Sequence, residues 1–236
     1  MRDIIIGDIH GCLNELIVLI NKLNLKKNDT IYFIGDLIDR GEDSAGVIKY
    51  IYELSKKYKV VLILGNHDEK FLRYIKKNKK IINQEYEFIL KKIEKKHIDF
   101  YEKSYYNYFI PEKNILLVHA GINDDIKLSL NENIPFNPNE KKSKYSILNL
   151  VRQIDEKGKM KFFDINVGIE SKFWNTNYQG EYGKIIYGHT PIIQNKPVYF
   201  QNSICIDNGC VFGGWLSALL IDTNLKISFE SIRFLK

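Results

Sequence analysis

The stretch DIIIGDIHGCLNELIVLINKLNLKKNDTIYFIGDLIDRG, residues 3–41, decides the fold. Asp3–Ile6 is a short apolar run that reads as a buried strand and stops at Gly7. Leu13, Leu16, Ile17, Ile20 and Leu23 then follow helical spacing and form one apolar stripe. Residues 31–34 make a second strand, closed by Gly35, and a further helix carries Val47, Ile48, Ile51 and Leu54 ahead of a third strand at 60–64. Strands and helices alternating in this way, joined by right-handed crossovers, give a parallel sheet with helices packed on it. Ligands of such sheets bind beyond the carboxyl ends of the strands. Asp8, His10, Asp36, Asp39, Asn66 and His67 all fall there.

Six short strings recur along the chain. They are Gly-Asp-Ile-His-Gly (7–11), Gly-Asp-Leu-Ile-Asp-Arg-Gly (35–41), Gly-Asn-His-Asp (65–68), His-Ala-Gly (119–121), Gly-His-Thr (188–190) and Ile-Asp-Asn-Gly (206–209). Of five histidines, four lie inside these strings, so the imidazoles are gathered rather than scattered. Asp8 and His10, two residues apart on an extended strand end, can face one cation, and Asp36 offers an oxygen able to bridge two. Asn66 adds a neutral oxygen, and His119 and His189 add nitrogens. Mixed oxygen and nitrogen donors without thiolate suit Mn²⁺, Fe or Zn²⁺ better than a soft-metal site. Two such cations sharing a water would provide hydroxide at neutral pH and clamp phosphoryl oxygens.

The remainder is read more coarsely. Residues 69–103 read as helix, with Phe71, Leu72 and Ile75 as one apolar set and Tyr86, Ile89, Leu90, Ile93 and Phe100 as another. Lys76, Lys77, Lys79, Lys80, Lys91, Lys92, Lys95 and Lys96 cover the solvated face, and His97 is a packing histidine at its boundary. Ile115–Val118 and Lys184–Tyr187 are strands that deliver His119 and His189. The segment 122–180 is a loop-rich insertion of the kind that encodes substrate choice. Segments 203–207, 216–222 and 226–234 alternate as antiparallel strands of a second sheet would. One domain over 1–236 is the economical organisation.

Composition narrows the classes. The chain has 236 residues, 44% hydrophobic and 27% charged, as a globular domain does. Its net charge of +6 comes from lysine, with only five arginines, so nucleic acid is not expected as the main partner. Three cysteines without a Cys-x-x-Cys pair read as reduced thiols. No stretch approaches the ~20 apolar residues of a membrane span, and the cytoplasm is the default location.

The ordered strings resemble the calcineurin-like metallophosphoesterases, in particular the phosphoprotein-phosphatase branch that includes bacterial and phage Ser/Thr phosphatases. Symmetrical diadenosine tetraphosphatases and the phosphatase module of bacterial polynucleotide kinase-phosphatases are close relatives of that branch. The resemblance runs from Gly7 through Gly214 and is weakest between Asn123 and Gly180. It implies an α/β fold, a two-sheet α/β/β/α sandwich with ligands at the C-terminal ends of strands. It also implies two divalent ions, Mn²⁺ first with Fe, Zn²⁺ and Ni²⁺ as alternatives. Asp8 and His10 would hold the first ion, Asp36 would bridge, and Asn66, His119 and His189 would hold the second. His67 would be the general acid, oriented by Asp39, with Arg40 on the phosphate together with Asn66. Arg152 is the one candidate for a second phosphate-binding arginine and reads equally well as a surface residue. Arg73 reads as a salt-bridge residue, and 206–214 as structural packing of the second sheet. The implied activity is hydrolysis of phosphomonoesters, first of phosphoserine and phosphothreonine. Symmetrical dinucleoside tetraphosphates and 2′,3′-cyclic or nucleic-acid-end phosphates are the alternatives. Two departures matter: Leu64 stands where the protein phosphatases carry arginine, and Asp68 replaces their glutamate. The partner is thus a phosphorylated substrate, protein or nucleotide.

Overall fold

The computed structural model describes residues 1–76, 83–129, 132–140, 143–161 and 172–235. Its elements run β1 (Asp3–Ile6), α1 (Leu13–Leu23), β2 (Thr30–Phe33), α2 (Ser44–Ser55), β3 (Lys59–Leu62), α3 (Asn66–Lys76), α4 (Gln84–Lys92), α5 (Lys95–Tyr101), β4 (Asn107–Ile110) and β5 (Ile115–Val118). They continue with β6 (Gln153–Ile154), β7 (Met160–Lys161), β8 (Lys172–Phe173), α6 (Trp174–Asn177), β9 (Lys184–Tyr187), β10 (Val198–Tyr199), β11 (Ser203–Cys205), β12 (Asp207–Asn208), β13 (Trp215–Ile221) and β14 (Ile227–Arg233).

Two sheets lie face to face. The first has the order β12-β13-β1-β2-β3, with β14 also paired to β13; the second has the order β10-β11-β9-β5-β4. The triple isoleucine of β1 explains why its run is continuous rather than alternating, since a strand covered on both faces needs apolar side chains at every position. Ile4, Ile6 and Phe33 join the helix-side core with Leu16, Leu19, Val47 and Ile51. Ile5, Tyr32 and Ile34 turn the other way, into the core between the sheets, where they meet Leu117, Ile186, Ile204 and Leu219. Burying each such side chain is worth about 1.5–3 kcal/mol. On its outer face the second sheet presents Leu116, Val118, Ile185 and Tyr187 to Val151, Ile154, Trp174 and Tyr178 of the insertion.

Two expectations need correction. The tail strands divide between the sheets: β11 joins the second sheet parallel to β9, whereas β13 enters the first, antiparallel to β1, and β14 pairs with it. Alternation identifies a strand but not its partner, which is set by the chain's return path. The 69–103 region is also not one helix. α3 begins earlier, at Asn66, and α4 and α5 are separate, while Lys77, Lys79 and Lys80 lie outside the described residues.

The helical start at Asn66 has a local cause. Asp68 reaches back to accept the Gly65 N–H at 2.8 Å, half of a capping box. His97 is a packing residue as expected: it is buried, its ring stands edge-on to Tyr52, and its Nδ1 accepts the Glu94 N–H. Lys76, Lys95 and Lys96 pair with Glu102, Asp99 and Glu94 on the surface. Among the described residues no helix is long and apolar enough to cross a membrane.

Candidate metal centre and active site

The strings converge at one edge of the sandwich. Among the described residues eight non-glycine residues have positive φ, and five of them are string residues: His10, Asp36, Asp39, Arg40 and His189. Left-handed backbone costs a non-glycine residue roughly 1–2 kcal/mol, so its concentration here means the surroundings enforce it. Gly35 is glycine for a stated reason. With φ +97, a Cβ there would lie 2.5 Å from the Gly65 nitrogen and 2.8 Å from Nδ1 of His119. Three segments of chain cross at that point.

Two tight donor groups result, His10–Asp36–His67 and Asp36–His119–His189, each with its donor atoms within 4.8 Å of one another. Asp36 belongs to both. Its Oδ2 is 3.3 Å from Nε2 of His10, and its Oδ1 is 3.4 Å from Nε2 of His119. Asn66 places Oδ1 3.2 Å from that same His119 nitrogen. The rings are fixed from behind: Nδ1 of His10 faces the Ile38 carbonyl at 2.9 Å, Nδ1 of His119 faces that of Ile34 at 2.8 Å, and His189 bonds the Leu150 carbonyl. Anchoring one ring nitrogen on a carbonyl leaves the other as a lone-pair donor, the usual arrangement behind a metal-binding imidazole. Arg40 donates to Nε2 of His10 at 2.6 Å, the lone pair a divalent ion would take.

Asp8 stands outside both groups. Its carboxylate accepts the His189 N–H at 3.0 and 3.2 Å, against Gly188, where a Cβ would collide with it. The electrostatics of the cluster favour added positive charge. Burial, then Asp207 and Asp36, push Asp8 well above the usual carboxylate range. Asp36 is held well below it: burial opposes ionisation, but His119 and His10 outweigh burial. Burial lowers His10 to about 4 and His189 to about 2, keeping both neutral. His119 is likewise disfavoured as a cation by burial, yet Asp36 and Asp8 raise it to about 10. The burial and mutual repulsion that oppose ionisation of Asp8 and Asp207 beside Asp36 would be relieved by a pair of divalent ions. The donors present, carboxylate, amide and imidazole, fit that pair.

A cleft of about 410 Å³ opens over the cluster, lined by Arg40, Asn66, His67, Lys70, Leu150, Arg152, Met160, Lys161 and His189. His67 enters it from the first turn of α3, with Nδ1 2.5 Å from Oδ2 of Asp39. Asp39 is in turn held by its backbone N–H on Ser44 Oγ. Arg152 is half-buried and donates through Nε and Nη2 to the His189 carbonyl. Arg73 is in an ion pair with Glu69, away from the cleft.

The family model for calcineurin-like phosphoesterases matches residues 1–218. The chain belongs to that family. It is a metal-dependent phosphoesterase with a dinuclear divalent-metal site. Curated relatives refine the branch. A bis(5′-nucleosyl)-tetraphosphatase PrpE [asymmetrical] of Oceanobacillus iheyensis is 34% identical, covering 92% of this chain and 88% of the relative. That of Halalkalibacterium halodurans is 31% identical over 97% and 92%. A solved structure described as a candidate diadenosine tetraphosphatase superposes with TM-score 0.75 at 25% identity, covering 99% of this chain and 94% of that one.

These findings overturn the protein-phosphatase and symmetrical-tetraphosphatase resemblance. A Saccharomyces cerevisiae Ser/Thr phosphatase matches with TM-score 0.67 but only 15% identity, a likeness of fold alone. The strings that suggested the branch gather the donor groups of the cluster. What separates branches is what surrounds them, such as Leu64, which is buried here and brings no guanidinium to the cleft.

This phosphoesterase also uses residues that sequence reasoning passed over. Asp68 is fully buried and accepts the N–H groups of Asp36, Leu37 and Gly65 at 2.8–3.0 Å, together with the Tyr101 hydroxyl. It thereby clamps the loop carrying Asp36 to the loop carrying Asn66. Its place at the end of the Gly-Asn-His-Asp string was the signal. Glu69 joins α3 to the insertion, accepting from Ser146 and Asn149. Asp207, in the string read as packing of the second sheet, instead begins a strand of the first and faces Asp8. A third donor group, Cys12–Glu15–Cys210, is tied up in structure: Cys12 faces the His10 carbonyl and Glu15 accepts the Leu235 N–H.

Proposed function

We propose that this phosphoesterase hydrolyses dinucleoside tetraphosphates asymmetrically, releasing a nucleoside monophosphate and a nucleoside triphosphate. The observation that carries the reading is the likeness, at 30–34% identity over nine-tenths of the chain, to asymmetrical bis(5′-nucleosyl)-tetraphosphatases. Asp8, His10 and Asp36 would hold one divalent ion, and Asp36, Asn66, His119 and His189 the other, with Mn²⁺ the first candidate. When bound, such ions supply a nucleophile from water at neutral pH and offset phosphoryl charge.

The protein's own groups do the rest. Arg40 and Arg152, at the mouth of the cleft, grip the oxygens of the phosphoryl group under attack, and Arg40 is free to fork onto it once His10 is engaged elsewhere. His67 presents Nε2 to the leaving oxygen and gives it a proton, while Asp39 on Nδ1 fixes the ring. Leu150, Met160 and the insertion at 122–180 shape the ground on which the nucleoside ends rest.

Incubation of the Mn²⁺-loaded protein with diadenosine tetraphosphate, followed by separation of products, tests this. AMP and ATP in equal amounts are expected, with loss of turnover on chelation and recovery on adding Mn²⁺. Two ADP per substrate, or turnover of a phosphothreonine peptide with none of the dinucleotide, rejects it.

A further inference from the structure

Among the described residues, the cleft over the metal cluster is lined by four cations and no carboxylate. Two of these, Arg40 and Arg152, sit on groups of the cluster itself, one on His10 and the other on the His189 carbonyl. Lys70 and Lys161 do not. Both are exposed, and among the described residues neither ends on a carboxylate within ion-pair distance. Asp155 feels the charge of Lys161, but its Oδ1 is spent on the N–H groups of Lys157 and Lys159.

Their positions extend the reaction centre in an ordered way. Lys70 follows His67 by three residues on α3 and Asn66 by four, so all three share one face of the helix. Lys161 is brought in by the β6–β7 pairing, whose register sets it opposite Gln153, the neighbour of Arg152. One lysine therefore continues outward from the proton donor and the other from the phosphate-gripping arginine.

We propose that Lys70 and Lys161 form a subsite for the phosphates beyond the one under attack, so that the cleft takes an extended polyphosphate rather than a single phosphoryl group. The proposal rests on the asymmetrical tetraphosphatase reading and deepens it. A lone phosphomonoester dianion, facing two divalent ions and two guanidinium groups, leaves no anionic charge for two further cations. A tetraphosphate cut unevenly divides into one phosphate and three, and the three need a cationic track. Lysine suits that track better than arginine. Its point charge on a flexible stem follows a chain of phosphates that has no single fixed geometry, where a guanidinium demands a planar, bidentate partner.

The test is inhibition of p-nitrophenyl phosphate hydrolysis by inorganic orthophosphate and by inorganic tripolyphosphate, with Mn²⁺ in excess of both. Wild-type protein, Lys70→Ala/Lys161→Ala, Lys70→Arg/Lys161→Arg and the distant surface control Lys96→Ala are compared. The double alanine variant is expected to weaken tripolyphosphate inhibition by roughly fivefold to thirtyfold, and to weaken orthophosphate inhibition far less. The gap should narrow as salt rises. The arginine pair restores most of the loss, and Lys96→Ala moves neither constant. Equal weakening of both inhibitors, or of neither, overturns the subsite. Because this readout needs no dinucleotide turnover, it separates the two readings. Wild-type protein that fails on diadenosine tetraphosphate yet shows lysine-dependent tripolyphosphate inhibition rejects the function and keeps the subsite.

Discussion

The two walls of the cleft are built on different principles. One wall, with Arg40, Asn66 and His67, is made of loops at the ends of β2 and β3 and the first turn of α3. It is bolted down by buried carboxylates: Asp68 holds three backbone N–H groups across two loops, and Asp39 holds His67. The other wall, with Leu150, Arg152, Met160 and Lys161, comes from the insertion. Among the described residues its strands β6, β7 and β8 are two residues long and pair only with one another. It is tied back through Glu69, through the Leu148 and Leu150 carbonyls, and by packing of Val151, Ile154, Trp174 and Tyr178 on the second sheet. On the proposed reading, the proton donor and Arg40 stand on the wall that cannot shift without breaking a buried network, and Arg152 reaches the same phosphoryl group from the other. On the same reading, contact with the rest of the substrate falls to the wall built from the insertion.

Mutation tests this division. Asp36→Asn removes a charge shared by both donor groups. It should abolish tight binding of two ions, seen by metal analysis after gel filtration, and cut turnover by roughly 10³ or more, since several kcal/mol of charge stabilisation is at stake. Full metal loading with normal turnover would remove Asp36 from the centre. His67→Asn should keep both ions and lower kcat by about 10²–10⁴ on a substrate with a basic leaving group. The deficit should shrink as the leaving group becomes more acidic, because a good leaving group needs no proton. Arg152→Ala, on the adjustable wall, should raise KM by about tenfold or more while the metal content stays the same. A fall in kcat as large as that of His67→Asn would mean the two walls are not distinct in role.

A residue remote from the cleft gives the smallest effect. Asp29 accepts from the Arg2 side chain and backbone and from the Lys26 N–H, and Arg2 holds its carboxyl below the usual range despite burial. A depressed folded pKa gives stabilisation that is present above the unfolded value, near 4, and is lost as pH falls through the folded value. Asp29→Asn should therefore lower Tm at neutral pH by about 2–4 °C, flatten the acid side of the stability curve and leave kcat alone. A change in kcat would show that the far end of the first sheet does reach the centre.

The sequence made the rigid wall readable and the adjustable one opaque, for physical reasons. Asp8, His10, Asp36, Asn66, His67, His119 and His189 stood out because strand-end position and donor chemistry both point to them, and the strings recur at five separate strands. Asp68 did not, because its partners are backbone amides that only the fold brings within reach. Lys161 was one lysine among thirty-five basic residues until a short hairpin set it beside Arg152. The parallel core was predictable from β1 to β3, but the return of β13 to β1 was not, since apolar alternation has no memory of which edge is vacant. The branch within the family was misread for the same reason that the family was easy to read: the strings are shared by enzymes that differ in what surrounds them.

The antiparallel pairing of β1 with β13, Asp3 against Ile221 through Ile6 against Ala218, has a consequence for biosynthesis. More than two hundred residues of chain must leave the ribosome after β1 before that strand acquires its second neighbour, β13. Until then Asp8 and His10 hang from a strand with an open flank. A chain ended between residues 209 and 215 would keep all six strings but lack the strand that closes the flank of β1.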